Sequence, residues 1–243
     1  MRRFLLILFL LLPGSVFASS EGPALEPAPI DTRDAASLQR GARLFVNYCL
    51  NCHSAEFMRY QGLEAFGLTP EDIRDNLIFT DAKVGDLMKI SMNRQDAKAW
   101  FGGAPPDLSV IARSRGADWL YGYLRTFYRD DSTLTGWNNL VFPNVGMPHV
   151  LWQLQGEQGA KVEEKTDSHG QKIEHKELVL VEKGSMSPVE YDQAIADLVN
   201  YLVFMGEPTR AKRVQSGIIA LFLLSVLFVF AYWLKKEYWK DVH

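Results

Sequence analysis

The chain has 243 residues, 47% of them hydrophobic and 23% charged, with a formal net charge of −3 and only two cysteines. The charge is unevenly placed: residues 19–207 carry 18 Lys and Arg against 27 Asp and Glu, a formal −9. Such a surface argues against a nucleic-acid ligand and suits either long-range attraction of a basic partner or plain solubility.

Met1 to Ala18 opens with Arg2 and Arg3, runs through the apolar Phe4 to Leu12 and closes in Val16-Phe17-Ala18, the pattern of a secretory signal peptide. The apolar run is too short to span a bilayer and is followed by Pro13 and Gly14, which argues against a first membrane helix. Cleavage after Ala18 puts the following domain outside the cytoplasm. About 190 residues then precede the next long apolar run, enough for one domain with its own core. Glu21 to Ile30, with Pro23, Pro27 and Pro29, reads as an extended arm. Asp34 can cap a helix running through Leu38, Ala42, Leu44, Phe45 and Tyr48, which delivers Cys49 at its C-terminal end.

Cys49-Leu50-Asn51-Cys52-His53 uses both cysteines of the chain and spaces them for covalent attachment of a c-type haem. Random placement of these residue types would give this pattern on the order of once in several thousand sequences. Each thiol can add to one haem vinyl group as a thioether, and a two-residue spacer lets one turn of chain reach both vinyls. His53 then follows in position to ligate the iron on the proximal side. A thioredoxin-like dithiol would need a βαβ setting and gives His53 no role. A structural zinc site would need further Cys or His ligands, and no second pair follows.

An electron carrier needs its iron capped on both faces, so that little rearranges on electron transfer and no small molecule competes. Met58, Met88, Met92, Met147, Met186 and Met205 are the candidates for the second face. Met58 is too close in sequence to the attachment site to reach the opposite face, and Met205 belongs to a core-type helical stripe. Met147 is preferred: Phe142 to His149 is a loop in which Gly146 and Pro148 flank it and can present sulfur without helical constraint. His149 is the rival, and bis-His coordination would give a lower potential than Met on the second face.

From Gln155 to Ser187 the polar composition, short apolar alternations and the His169-Gly170 turn signal predict a partly exposed β-hairpin, with His169 and His175 facing solvent. Ser187-Pro188-Val189-Glu190 is a capping box, and Tyr191, Ile195, Leu198, Val199, Leu202 and Met205 form one apolar stripe on the helix it starts. That helix is expected to pack against the helix begun by Asp34. Ser216 to Leu234 contains no charged residue and, at ~1.5 Å per residue, would be roughly 28 Å long, matching a bilayer core. Tyr232, Trp233, Tyr238 and Trp239 provide an interfacial belt at its far end. Flanking charge is balanced, so the signal peptide sets the orientation: the large domain is exported and the short tail stays inside.

In combination, Cys49 to His53, Gly103-Ala104-Pro105-Pro106-Asp107-Leu108-Ser109, Gly146-Met147-Pro148 and the Tyr201 to Leu234 region make the sequence similar to bacterial cytochrome c1, the haem subunit of the cytochrome bc1 (ubiquinol:cytochrome c oxidoreductase) complex. The resemblance covers nearly the whole mature chain, and the 94 positions between His53 and Met147 are in keeping with it. It implies a mainly α fold, a cytochrome c-like haem domain with long loops and a small β-hairpin plus one C-terminal transmembrane helix. The divisions expected are a signal peptide over 1–18, a periplasmic haem domain over 19–207, an anchor over 208–235 and a cytoplasmic tail over 236–243. It implies one covalent haem c through Cys49 and Cys52, with iron ligands His53 and Met147. It also implies that Pro105 and Pro106 line the pocket and that Arg115, a better candidate than Arg113, pairs with a propionate. The alternative for both arginines is a surface position at a helix end near Gly116.

The implied role is an electron-carrying subunit with no catalytic activity alone. It would take electrons from a Rieske iron–sulfur protein and pass them to a periplasmic c-type cytochrome, beside cytochrome b in the lipid of the cell inner membrane. The hairpin segment before Ser187 varies among such proteins, so no partner contacts carry over there. An anchored cytochrome of a terminal oxidase and a haem enzyme or gas sensor with an open iron position are the alternatives, the latter requiring that Met147 not bind.

Overall fold

A computed structural model describes residues 25–166 and 172–241. The segment expected to be a signal peptide and the expected His169-Gly170 turn lie outside the described residues, as does the side chain of His175. The arm from Leu25 to Ile30 is non-helical and strapped down by polar contacts: the Ala28 N–H donates to Asp118 (2.8 Å) and Glu26 pairs with Arg125 (2.6 Å).

Helix α1, Ala35–Leu44, begins where the Asp34 carboxylate accepts the Ser37 N–H at 3.1 Å, as the capping pattern predicts. The α-winding stops earlier than Tyr48. Phe45–Cys49 is π-wound, with the Leu50 N–H donating to the Phe45 carbonyl five residues back at 3.0 Å. Such single π turns occur frequently at functional sites. Here Asn47 and Asn51 donate side-chain N–H groups to the Arg43 and Asn47 carbonyls (2.7 and 3.0 Å), which satisfies carbonyls around the widened turn.

The rest of the order is β1 Ala55–Arg59, α2 Pro70–Leu77, β2 Leu87–Met88, α3 Arg94–Phe101, α4 Ile111–Arg115, α5 Ala117–Arg125, β3 Phe127–Arg129, β4 Trp137–Asn139, α6 Trp152–Gln155, β5 Gly156–Thr166, β6 Lys172–Lys183, α7 Pro188–Gly206 and α8 Arg210–Tyr238. Strands β5 and β6 pair antiparallel from Gly156↔Lys183 to Thr166↔Lys172, the hairpin expected from the sequence. Two further antiparallel pairs, β1 with β2 and β3 with β4, were not anticipated. Strands of two to five residues are too short to leave an alternation that can be read.

The core is the crossing of α1 and α7. Ser187 and Glu190 form the reciprocal capping box that starts α7, with Pro188 at its first turn. Its apolar stripe is buried: Tyr191, Ile195, Leu198 and Leu202 are all 3% exposed or less. The helices approach closely because position 41 is glycine; a Cβ there would collide with the Asp197 carbonyl oxygen and the Tyr201 side chain. Phe45 lies against Tyr201 at 5.4 Å between ring centroids. The crossing is also tied by polar contacts. Arg40 holds the buried Asp197 carboxylate with two hydrogen bonds (2.5 and 2.9 Å), and Asn200 donates to the Asp31 carbonyl and the Ser37 hydroxyl (2.8 and 3.0 Å).

Helix α8 has 29 residues, about 43 Å at ~1.5 Å per residue. Within it Lys212–Tyr238 is long and apolar enough to cross a bilayer, and none of its most apolar window is buried against the remainder of the protein. The charge-free run read from the sequence, 216–234, falls inside this span.

Substituting Gly41→Val should force α1 and α7 apart and cost about 1–3 kcal/mol or more. Thermal unfolding should show this as a melting temperature several degrees below wild type; an unchanged transition would contradict the close approach.

Candidate haem site

After the π turn the chain folds back on itself: the Cys52 and His53 N–H groups both donate to the Cys49 carbonyl (3.1 and 2.9 Å). This tight loop turns Cys49, Cys52 and His53 toward one cavity of about 620 Å³. The two cysteines are not joined to each other by a disulfide. Burial, with the Cys52 sulfur nearby, pushes the Cys49 thiol up to about 12, so it stays neutral and packs as a small apolar group.

His53 is fixed by a contact that its sequence position does not reveal. Its Nδ1 lies 2.7 Å from the Pro106 carbonyl oxygen, an atom that only accepts, so Nδ1 carries the proton and Nε2 keeps a lone pair. Burial lowers the imidazole's pKa, outweighing the Pro106 contact, and favours the neutral, metal-binding form. The Pro106 carbonyl is itself held, because Pro105 to Ser109 is zipped against the chain just after the motif. Leu108 N–H donates to the Ser54 carbonyl (2.9 Å), Glu56 N–H to Asp107 (2.8 Å) and Phe57 N–H to the Ser109 hydroxyl (3.0 Å). Consecutive prolines fit here because neither has an N–H to leave unpaired.

Met147 lines the same cavity. Its loop is shaped by two buried asparagines at the end of β4. Asn138 Oδ1 accepts the N–H groups of Asn139 and Asn144 (both 2.8 Å). Asn139 Oδ1 accepts those of Val141 and Phe142 (2.9 and 3.0 Å), while its Nδ2 donates to the Tyr123 carbonyl (2.7 Å). Asn144 takes the left-handed conformation (φ 59°), which asparagine tolerates better than most residues, and the chain turns there toward Met147. Tyr123, one turn beyond Trp119 on α5, donates its hydroxyl to the Met147 Sδ at 3.3 Å.

Leu120 and Leu124 of α5 with Leu198 and Leu202 of α7 complete an apolar interior. Pro105, Pro106 and Arg115 line the same cavity as Cys49, Cys52, His53 and Met147. The Arg115 guanidinium is at the rim, 5.1 Å from the Trp119 ring and 5.8 Å from Phe142, and has no ion-pair partner among the described residues. Arg113 is outside the lining; its stem packs at the end of α7, where a Cβ at Gly206 would meet its Cγ at 3.3 Å.

His149 does not line the cavity. The backbone turns it behind the wall, stacked on Phe127 (4.9 Å, 7°) and edge-on to Trp137 (5.1 Å). Burial lowers its pKa to about 4, which keeps it neutral as part of an aromatic cluster. Met58, Met88 and Met205 are buried in the core, and Met92 lines a smaller separate cavity. Trp119, Tyr123, Asn138, Asn139 and the Pro106 carbonyl were not foreseen. The Trp119/Tyr123 spacing of four is the one signal that could have pointed at any of them.

The donor set fits haem. Paired thiols, an imidazole with a free Nε2 and a thioether sulfur surround an apolar space within the usual size range of cofactor pockets. Together with the membrane-length helix, this donor set is what an anchored cytochrome of the c type would need. The chain belongs to the Cytochrome C1 family, whose model matches residues 26–242. It is 50% identical over 243 residues to the ammonia monooxygenase gamma subunit of Nitrosomonas europaea, covering 100% of this chain and 99% of that protein. It is 49% identical over 245 residues to the cytochrome c1 of Allochromatium vinosum, covering 100% of both. The mitochondrial cytochrome c1 heme protein of Saccharomyces cerevisiae is 26% identical over 241 residues, covering 88% of this chain and 70% of that one. Family membership implies a covalently bound c-type haem and an electron-carrying subunit of a bc1 complex.

Asn139→Ala would leave the Val141 and Phe142 N–H groups without their acceptor and remove one of the donors to the Tyr123 carbonyl, and should cost roughly 2–4 kcal/mol. Asn144→Gly keeps the backbone donor and suits the positive φ, and should change stability by less than about 1 kcal/mol. Denaturant unfolding of both variants checks the contrast.

Proposed function

We propose that the chain binds one haem c through thioethers from Cys49 and Cys52, ligates its iron with His53 Nε2 and Met147 Sδ, and passes single electrons from a Rieske iron–sulfur protein to a periplasmic c-type cytochrome. The observation that carries this reading is that His53 and Met147, 94 positions apart, face one apolar cavity with the thiol pair beside His53. When bound, the haem supplies the one-electron couple. The protein's part is to hold, orient and shield. The Pro106 carbonyl keeps His53 in the ligating tautomer, the asparagine-braced loop presents the Met147 sulfur, and the leucines of α5 and α7 exclude water. Arg115 at the rim offers its guanidinium to a propionate, and Pro105 walls the same side.

On this reading the haem domain lies on the periplasmic side of the inner membrane, exported by the 1–18 segment and tethered by α8 beside cytochrome b. The tether turns collision with the Rieske protein into an exchange between neighbours at high effective concentration. The formal −9 over residues 19–207 suits a basic soluble acceptor. The subunit makes and breaks no substrate bonds and has no catalytic activity alone.

His53→Ala should abolish a stable low-spin haem. Met147→Leu should keep the attached haem but lose the near-red band of sulfur-to-ferric-iron charge transfer and admit carbon monoxide. A wild-type protein that binds carbon monoxide rapidly would instead indicate an open iron position, and co-purification with a terminal oxidase in place of cytochrome b would reassign the complex.

A further inference from the structure

We propose that Tyr123 is a positioning residue that raises the reduction potential of the haem by donating its hydroxyl hydrogen to the Sδ of Met147. The proposal rests on the reading that Met147 is an iron ligand. The O–S separation is 3.3 Å, and nothing in the activity of an electron-carrying subunit by itself requires a hydroxyl there. A thioether sulfur has two lone pairs. With one engaged by Tyr123, the other remains for the metal, and rotation of the methionine end is restricted.

The hydroxyl is not free to leave. The Tyr123 ring is stacked on Trp119 (4.8 Å, 11°), meets Phe127 edge-on (5.0 Å, 67°) and is only 8% exposed. Its own backbone carbonyl is held by Asn139, the residue that also braces the Met147 loop. Donor and acceptor are therefore fixed by one set of contacts. A phenol keeps its hydrogen at physiological pH, so the oxygen can donate.

The direction of the effect follows from electrostatics. A hydroxyl hydrogen at the sulfur draws electron density from it and adds partial positive charge beside the iron. The ferric state depends more on ligand donation and carries more positive charge than the ferrous state, so it is the more destabilised, and the potential rises. In a dry pocket the effect is larger than in water. Tyr123→Phe removes the hydrogen bond while keeping the ring and its stacking.

The test is redox titration with absorbance spectroscopy on the full-length, haem-loaded protein in detergent, comparing wild type, Tyr123→Phe and Met147→Leu. The expected result is a lower midpoint potential in Tyr123→Phe with the sulfur-to-iron band retained but displaced, and loss of that band in Met147→Leu. If Tyr123→Phe leaves the potential and band at wild-type values while Met147→Leu loses the band, Tyr123 serves packing only and the proposal fails with ligation intact. If Met147→Leu keeps the band, the ligand reading fails and this proposal falls with it.

Discussion

Helix α7 is the constraint on which the site depends, because it touches both halves of the domain at once. Through the Gly41 contact it seats α1, whose C-terminal π turn carries Cys49; on another side Tyr191 donates its hydroxyl to the Leu124 carbonyl of α5 at 2.8 Å. Leu198 and Leu202 line the cavity. The placement of the α1 end and of α5 about the cavity is thus tied to packing around one helix. Side chains from distant loops are preorganised about one cavity when a rigid helix seats the elements that carry them. Close-packed interiors supply that rigidity because they resist changes of even a methylene in volume.

Two parts of the cavity lining are finished by hydrogen bonds that pair a flexible segment with a fixed acceptor or donor. On one side the motif and the Pro105–Ser109 segment share Ser54, Asp107 and Ser109 contacts, ending at the Pro106 carbonyl that orients His53. On the other, Asn138 and Asn139 capture successive backbone N–H groups of the Met147 loop. Both arrangements use short polar side chains to satisfy loop backbone that no helix or sheet would satisfy. A loop held in this way behaves as a fixed part of the pocket rather than as a lid, which suits a carrier whose ligands should not rearrange between charge states.

Features governed by neighbouring residues were legible in the sequence. Asp34 and the Ser187/Glu190 pair mark helix starts because capping is a contact over three residues, and the apolar stripe of α7 repeats at helical spacing. The mainly helical fold, the hairpin, the membrane-length helix and the family followed from such signals and from the haem motif. Features set by tertiary contact were hidden. The π turn at Phe45–Cys49 has no sequence signature, and the short β pairs are smaller than the period that would announce them. Met147 and His149 are two positions apart in one loop; the flanking Gly146 and Pro148 favoured Met147, but the Asn144 turn and the asparagine braces that shape the loop were not visible. Trp119 and Tyr123 looked like any aromatic pair on a helix face, and the Pro106 carbonyl has no side chain to advertise it.

The most direct measurement is the intact mass of the purified mature polypeptide, isolated under denaturing conditions. The expected value is the mass of the amino acids plus a single haem, with the haem lost when both Cys49 and Cys52 are changed to alanine. A mass equal to the bare polypeptide, or pigment released by acidified acetone, would contradict it.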